Sequence, residues 1–290
     1  MSRHETDASR IPRCVTMFSE QRQQRILEIL RTEQFVRVSE LSRVLNSSVA
    51  SIRRDLQALE AASLLRRTHG GAANHLMTGF ELSLAQKEDR FESEKAAIAL
   101  LAASLVEDGE TVMLDAGSTT LQIAKQLKHR NIKIVTNAVN IAQELSSSHA
   151  EVIVTGGMLR LNTLAMVGPI AVATLAGLYV DKLFLATTGL DLKRGLTSPN
   201  VTEAHTKRAM LDSAAEVILV TDHSKIGRIA FTQVCSLERI NCLITDAGAP
   251  IEFIQDLDKL GVKVKLAGDT GKDGRPERME LTPPKTDTVG

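Results

Sequence analysis

Val49-Ala50-Ser51-Ile52-Arg53-Arg54-Asp55-Leu56-Gln57-Ala58-Leu59, followed closely by Leu64-Leu65-Arg66-Arg67-Thr68-His69-Gly70-Gly71, is the stretch on which the fold turns. At about 100° per residue, Val49, Ile52, Leu56 and Leu59 fall on one apolar stripe of a helix running from about Ser48 to Ala61. Ser47, Ala50, Arg54 and Gln57 then lie opposite, with Ser51 and Arg53 on the flanks. Small residues near the start of that exposed face let a backbone approach DNA, and the arginines behind them reach guanine edges or phosphates. The second run reads as an extended segment ending in a Gly-Gly turn, which suits the wing of a winged helix-turn-helix. For the helix alone, a solvated surface with Arg53 or Arg54 paired to Asp55 or Glu60 is the more economical account. Its neighbours shift the reading.

Upstream, Ile26, Leu27, Ile29 and Leu30 repeat at helical spacing from about Ser19 to Thr32, and Phe35 to Val38 suits an extended segment. Ser39 fits the N-cap of a second helix that turns Leu41, Val44 and Leu45 inward, and Asn46-Ser47-Ser48 breaks it with turn formers. Residues 18–75 are therefore expected to form a winged helix-turn-helix, with the helix-turn-helix at 36–55 and the wing at 64–72. Ser47, Ala50, Ser51, Arg53, Arg54 and Gln57, with Arg66, Arg67 and His69 of the wing, are the expected contacts to double-stranded DNA. Residues 1–17 lack periodicity and are expected to form a disordered leader. Charge agrees with this division. Residues 1–75 hold twelve arginines, no lysine and eight acidic residues, a net of +4, whereas the remainder carries −4. Arginine is the better fork for phosphate and guanine, so a basic segment built from arginine alone points to nucleic acid.

After a polar stretch at 76–90, expected to be a linker, the pattern changes. Helical segments near 92–106, 119–129, 139–146 and 201–214 alternate with short Val/Ile/Leu runs at 111–114, 132–135, 152–155, 182–186, 217–220, 242–245 and 262–266. This alternation predicts an α/β domain over 91–268, with a doubly wound, mainly parallel sheet covered on both faces. Ligands of such sheets bind beyond the carboxyl ends of the strands. There the chain places Asp115-Ala116-Gly117-Ser118-Thr119-Thr120, which combines a glycine, hydroxyls and helix N-terminal amides and so suits a phosphate. Thr136-Asn137, Thr155-Gly156-Gly157 with Arg160, Thr187-Thr188-Gly189 and Thr221-Asp222-His223-Ser224-Lys225 follow later strands. Each alone is an ordinary turn or cap, but their shared edge suits a small anionic ligand. Residues 269–290, rich in Gly, Pro, Asp and Lys, are expected to form a disordered tail.

Other classes fit less well. The longest apolar stretch, Ala96 to Val106, falls short of the roughly 20 residues a bilayer span needs. Three cysteines without a CxxC pair argue for reduced thiols in a cytoplasm. Neither GxGxxG nor GxxxxGK[ST] occurs, and His205 and His223 lack metal-ligand spacing, so no cofactor and no metal is expected.

In the order of these motifs the chain resembles the DeoR family of bacterial transcription regulators, over nearly all of residues 19–267. The resemblance rests on Gln23 to Leu27, Ser51 to Leu56, Leu64 to Ala72, Leu114 to Thr120, Val135 to Asn137, Thr155 to Arg160, Glu203 to Met210 and Asp222 to Lys225. It implies a sensor related in fold to sugar-phosphate isomerases and CoA transferases. It also implies a homo-oligomeric repressor, a dimer or tetramer, of a carbohydrate-utilisation operon, modulated by a phosphorylated sugar and without catalytic residues. By position, Asp115, Gly117, Ser118, Thr119 and Thr120 would hold the phosphate. Asn137, Gly156, Gly157, Arg160, Gly189, Glu203, Lys207, Asp222 and Lys225 would surround the sugar. Asn46-Ser47 stands where the family commonly has Gly-Val, and Val49 where an acidic residue is frequent. One alternative is a sugar-phosphate isomerase with an accessory DNA-binding module, using Asp115, Glu203 or Asp222 as its base. A sequence-indifferent architectural DNA-binding protein is a third.

Overall fold

A computed structural model describes residues 19–32, 35–61, 64–68, 70–74 and 81–268. The expected leader and tail, and the wing contact His69, lie outside the described residues, as does the side chain of Arg66. The chain divides into two units, Met1–Met77 and Thr78–Gly290.

The N-terminal unit runs α1 (Ser19–Thr32), β1 (Phe35–Arg37), α2 (Val38–Val44), α3 (Val49–Ala61), β2 (Leu65–Thr68) and β3 (Gly71–Asn74). Ile26 and Leu30 of α1, Leu41 of α2, and Ile52, Leu56 and Leu59 of α3 share one buried core with Leu65 of β2. The strands form an antiparallel sheet in the order β1-β3-β2, with Thr68 opposite Gly71 across the tip of the wing. The winged helix-turn-helix expected from the sequence is present. Three local expectations need correction. α2 begins one residue before Ser39, because the Glu40 carboxylate accepts the Arg37 N–H at 3.0 Å and so fixes the first turn. Val44 and Val49 are 62% and 41% exposed. Both stand at helix ends beside the turn, where the apolar stripe has already run off the core. In the turn itself Asn46 adopts φ 44°, a left-handed conformation that glycine favours and asparagine tolerates.

The C-terminal unit opens with α4 (Leu84–Glu88) and α5 (Glu92–Ala103), then β4 (Thr111–Leu114), α6 (Ser118–Leu127), β5 (Lys133–Thr136), α7 (Val139–Glu144) and β6 (Glu151–Val154). A hairpin of β7 (Met158–Arg160) and β8 (Ala165–Val167) precedes α8 (Pro169–Ala176) and β9 (Val180–Leu185). β10 (Gly189–Asp191), β11 (Gly195–Ser198), α9 (Val201–Asp212), β12 (Ala214–Val220), β13 (Thr232–Cys235), β14 (Cys242–Asp246), α10 (Ile251–Lys259) and β15 (Lys263–Ala267) complete it. Seven strands form one sheet in the order β15-β14-β12-β9-β4-β5-β6, every neighbouring pair parallel. β7–β8 and β10–β11–β13 are small antiparallel sheets beside it, which the sequence reading did not anticipate. The stretch read as a linker contains α4, capped by Ser83, whose hydroxyl accepts the Gln86 N–H.

Alternate residues of each central strand serve opposite cores, the signature of a sheet covered on both faces. Val112, Leu114, Ile134, Phe184 and Ile244 pack under α5, α6 and α7, whereas Met113, Val135, Leu183, Leu219 and Leu243 pack under α8, α9 and α10. β6 and β15 are the sheet's edges, and β15 carries the exposed Lys263 and Lys265.

Gly71 supplies a test of the wing. A Cβ there would stand 2.1 Å from the Val36 carbonyl oxygen, whereas at Gly70 it would meet nothing. Gly71→Ala is expected to destabilise the N-terminal unit by about 1–3 kcal/mol, as overpacking does. Gly70→Ala is expected to be close to neutral. Hydrogen exchange at the β1 and β3 amides reads the difference.

Candidate nucleic-acid interface and ligand site

The presented face of α3 is fixed by what its other face does. Asp55 is buried and accepts from Ser19 Oγ at 2.7 Å and Gln23 Nε2 at 3.3 Å, and it pairs with Arg22. Burial opposes its ionisation, but those α1 groups outweigh it and hold the carboxyl below the usual carboxylate range. Asp55 thus serves the α1–α3 contact and not the neighbouring arginines. Ala50, Arg53, Arg54 and Gln57 are exposed, and among the described residues neither Arg53 nor Arg54 makes an ion pair. Ser48 Oγ accepts the Ser51 N–H at 3.1 Å, capping α3, and Ser47 Oγ turns back onto the Leu45 carbonyl at 2.9 Å. Of the small residues expected at the face, Ser47 therefore also holds the turn. In the wing, the Arg67 N–H donates to Glu60 Oε1 at 3.0 Å and its guanidinium lies 4.0 Å from the same carboxylate.

In the second unit the strand order reverses between β4 and β9. The chain moves outward through β5 and β6 on one side and through β12, β14 and β15 on the other, and ligands of open α/β sheets bind at such a switch point. Asp115 follows β4 there, fully buried. Its Oδ2 accepts the Ala186 N–H at 3.0 Å and pairs with Lys207, whose Nζ also donates to the Ala186 carbonyl at 3.1 Å. Lys207 lies 3.7 Å from Glu203 one turn earlier on α9, and Glu203 pairs with Arg160 of the β7–β8 hairpin. Arg160 in turn meets Glu81 at 2.7 Å, and Glu81 meets Lys87 at 3.5 Å. Six side chains of alternating sign thus join β4, α9, the hairpin and the segment around α4.

Their titration follows from burial set against neighbours. Burial opposes charge at Lys207, yet Asp115 and Glu203 outweigh it and raise its pKa. Burial pushes Glu203 above the usual carboxylate range despite Lys207. It also opposes ionisation of Glu81, where Lys87 and Arg160 prevail and hold the carboxyl low. Lys87 is pulled down by burial.

Beside this chain of charges lies the start of α6. Gly117 brings its backbone close to Ala186, where an added Cβ would come within 2.9 Å of the Ala186 Cβ. The Thr120 hydroxyl donates to the Gly117 carbonyl at 3.0 Å. Ser118 and Thr119 are buried, and among the described residues their hydroxyls make no hydrogen bond to the protein. These hydroxyls adjoin first-turn amides that have no intrahelical partner. Asn137, past β5, is fully buried and donates through Nδ2 to the Met166 carbonyl at 3.2 Å. Gly156 and Gly157 adopt φ 68° and 116°, and a Cβ on Gly157 would press the Val167 carbonyl at 2.7 Å.

The remaining expected residues, Gly189, Asp222 and Lys225, follow β9 and β12. Gly189 sits in β10 with its Cα against the Arg228 carbonyl, so its lack of a side chain serves the packing of that hairpin. Asp222 and Lys225 follow β12, where Asp222 accepts the Ser224 N–H at 3.0 Å. Burial opposes Asp222 ionisation, but Lys225, Ser224 and Lys95 prevail and hold it low. Lys95 of α5 is buried and bonds the carbonyls of Lys87 and Arg90, fastening the end of α4. Glu81, Lys87 and Lys95 were missed from sequence. The legible signals were the Ser83-x-x-Gln86 capping box and the apolar Leu82 and Leu84 beside it.

Burial pushes the Cys235 and Cys242 thiols up to about 11, as befits packed rather than nucleophilic cysteines. Among the described residues no group of His, Cys, Asp and Glu is set to hold a metal ion, and no helix is long and apolar enough to cross a membrane.

Comparison with known proteins agrees with both halves. The DeoR-like helix-turn-helix domain matches residues 22–75 and the DeoR C terminal sensor domain matches residues 90–247. The chain is 41% identical over 249 residues to the HTH-type transcriptional regulator GlpR of Haloferax volcanii, covering 86% of this chain and 98% of that protein. It is 35% identical to the putative aga operon transcriptional repressor of Escherichia coli O157:H7, covering 91% and 99%. Identity to the HTH-type transcriptional repressor GlcR of Bacillus subtilis is 32%, covering 89% and 100%. Among solved structures, ribose 5-phosphate isomerase A of Methanocaldococcus jannaschii is similar with a TM-score of 0.36 at 16% identity, over 47% of this chain and 54% of that one. The two domain matches and the near full-length relatives establish the chain as a DNA-binding transcriptional regulator of the DeoR family.

Proposed function

We propose that the chain represses a carbohydrate-utilisation operon and that a small phosphorylated sugar, bound at the carboxyl edge of the seven-stranded sheet, modulates its grip on operator DNA. The observation that carries the effector is the start of α6, where the hydroxyls of the largely buried Ser118 and Thr119, without hydrogen-bond partners among the described residues, adjoin a helix N-terminus at the sheet's switch point. Names of relatives, such as the aga operon repressor and the lactose phosphotransferase system repressor of Staphylococcus epidermidis, agree with a sugar pathway. Exposed Arg53, Arg54 and Gln57 of α3 would read base edges and the wing would hold phosphates, in a dimer or tetramer whose paired DNA-binding units match a repeated operator.

A route for coupling follows from the chain of charges. Arg160 is held by two carboxylates, Glu203 and Glu81, and Glu81 lies just after Met77, where the N-terminal unit ends. A bound sugar phosphate drawing on Arg160 would compete with Glu81 and loosen the segment that leads from the DNA-binding unit. The proposal includes no turnover. Asp115 and Glu203, the carboxylates best placed to act as a base, are both engaged by Lys207.

Fluorescence anisotropy on DNA from upstream of the protein's own and neighbouring genes, at fixed salt and with a panel of sugar phosphates, tests the whole reading. Specific binding altered by one phosphorylated sugar and not by its unphosphorylated form is expected; steady turnover of any of these compounds would overturn it. Replacing both Arg53 and Arg54 by alanine is expected to weaken operator binding at least about tenfold in folded protein, since a bidentate guanine contact is worth about 1–3 kcal/mol. Glu81→Gln is expected to tighten sugar-phosphate binding, by removing the internal competitor for Arg160, and to shrink the effector's influence on operator affinity. Calorimetry together with anisotropy separates those two effects.

A further inference from the structure

A set of unmet polar atoms lies outside the chain of charges. Asn137 Oδ1, both amide atoms of Asn140 and Thr163 Oγ1 are buried and have no hydrogen-bond partner among the described residues. Asn137 is fully buried and Thr163 is 6% exposed. The backbone brings the three together. The Met166 N–H donates to the Asn137 carbonyl at 2.6 Å, Ala138 bridges Ala165, and the Val139 N–H donates to the Leu164 carbonyl at 3.0 Å. Asn140, in the first turn of α7, and Thr163, in the tip of the β7–β8 hairpin, are the chain neighbours of that bonded Val139–Leu164 pair. Asp115 Oδ1, past the adjacent strand β4, is likewise buried and unmet.

Buried polar atoms in native proteins are paired almost without exception, so several unmet ones on neighbouring residues call for an occupant. Its chemistry can be read from the atoms. Amides and a hydroxyl are neutral and offer both donors and acceptors, which matches alcohol groups and not a phosphate dianion. The anion-suited amides and hydroxyls of Ser118 and Thr119 begin the helix after β4, and Asn137 and Asn140 follow β5, the next strand of the sheet. A ligand with a phosphate at one end and hydroxyls at the other would span the two.

We propose that Asn137, Asn140 and Thr163 form a subsite that hydrogen-bonds the hydroxyl groups of a phosphorylated polyol, with Asn140 and Thr163 as the residues that determine which sugar is accepted. The inference rests on the sugar-phosphate reading above and deepens it. A site built to hydrogen-bond a hydroxyl rejects an analogue lacking or misplacing that group, because its own buried polar atoms are then left unpaired. Sugar selection is thereby assigned to the β7–β8 tip and α7, and phosphate binding to α6.

The test is calorimetric titration of the full-length chain with ribose 5-phosphate, glucose 6-phosphate, galactose 6-phosphate, tagatose 6-phosphate, glycerol 3-phosphate and inorganic phosphate. Wild-type protein is expected to prefer one sugar phosphate to its epimer or isomer. Thr163→Val and Asn140→Ala should each shrink that preference by about tenfold while affinity for inorganic phosphate stays unchanged. Thr163→Ser, which keeps the hydroxyl, should retain it and so separates lost hydrogen bonding from lost packing. An unchanged preference in both Thr163→Val and Asn140→Ala overturns the subsite alone and leaves the buried atoms to bound water. No binding of any sugar phosphate by the wild type overturns the sugar-phosphate reading and the subsite together.

Discussion

A lysine amine shut away from water must be met by opposite charge, and the second unit is arranged around that demand at Lys207. Its partners come from separate parts of the chain: Asp115 at the end of β4, Glu203 one turn back on α9, and the Ala186 carbonyl past β9. Removing one partner from such a group leaves an uncompensated buried charge, which costs far more than the intact arrangement contributes. The seam between β4 and β9, where the strand order reverses, is therefore fixed by electrostatics as well as by the ladder. The same charges extend through Arg160 to Glu81, so the segment entering the unit shares the constraint.

The DNA-binding unit uses a smaller version of the same device. Asp55 is buried in α3 and satisfied entirely from α1, by Ser19, Arg22 and Gln23. Because its charge is spent inward, the two preceding arginines remain available to the solvent face. One acidic residue thus sets both the packing of the helix and the charge it presents.

The sequence made the long, periodic elements legible. α1 begins and ends at the residues its apolar spacing indicated, β4 likewise, and all seven strands of the parallel sheet fall on Val/Ile/Leu runs. What escaped was mostly short or non-local; the exception is α10 (Ile251–Lys259), an amphipathic helix to which the sequence reading gave no segment. The strands β7, β8 and β10 have three residues each, too few to show a period of two, and α8 is apolar on every side, so neither announces itself. Angle counting placed Val44 and Val49 inside because it assumes the core continues to the ends of a helix, whereas here it stops short of the turn. In the candidate site, Asp115, Ser118, Thr119, Asn137, Arg160, Glu203 and Lys207 were legible as polar residues at strand ends and in motifs. Glu81 was not, because its meaning comes from Arg160, 79 residues away. At Gly189 an added Cβ would stand 2.5 Å from the Arg228 carbonyl oxygen, a close approach that spacing along the chain does not show.

The far edge of the sheet carries a consequence for how the molecule behaves in a crowded solution. Among the described residues β15 pairs with β14 on one side only, so its other side presents the backbone groups that invite another chain's strand to add on. Lys263 and Lys265 stand exposed along that strand. An incoming strand would have to strip water from both ammonium groups, and a second copy of the same edge would bring like charges together. Lysines so placed work against strand addition at the sheet's edge, and so protect the folded chain from open-ended stacking.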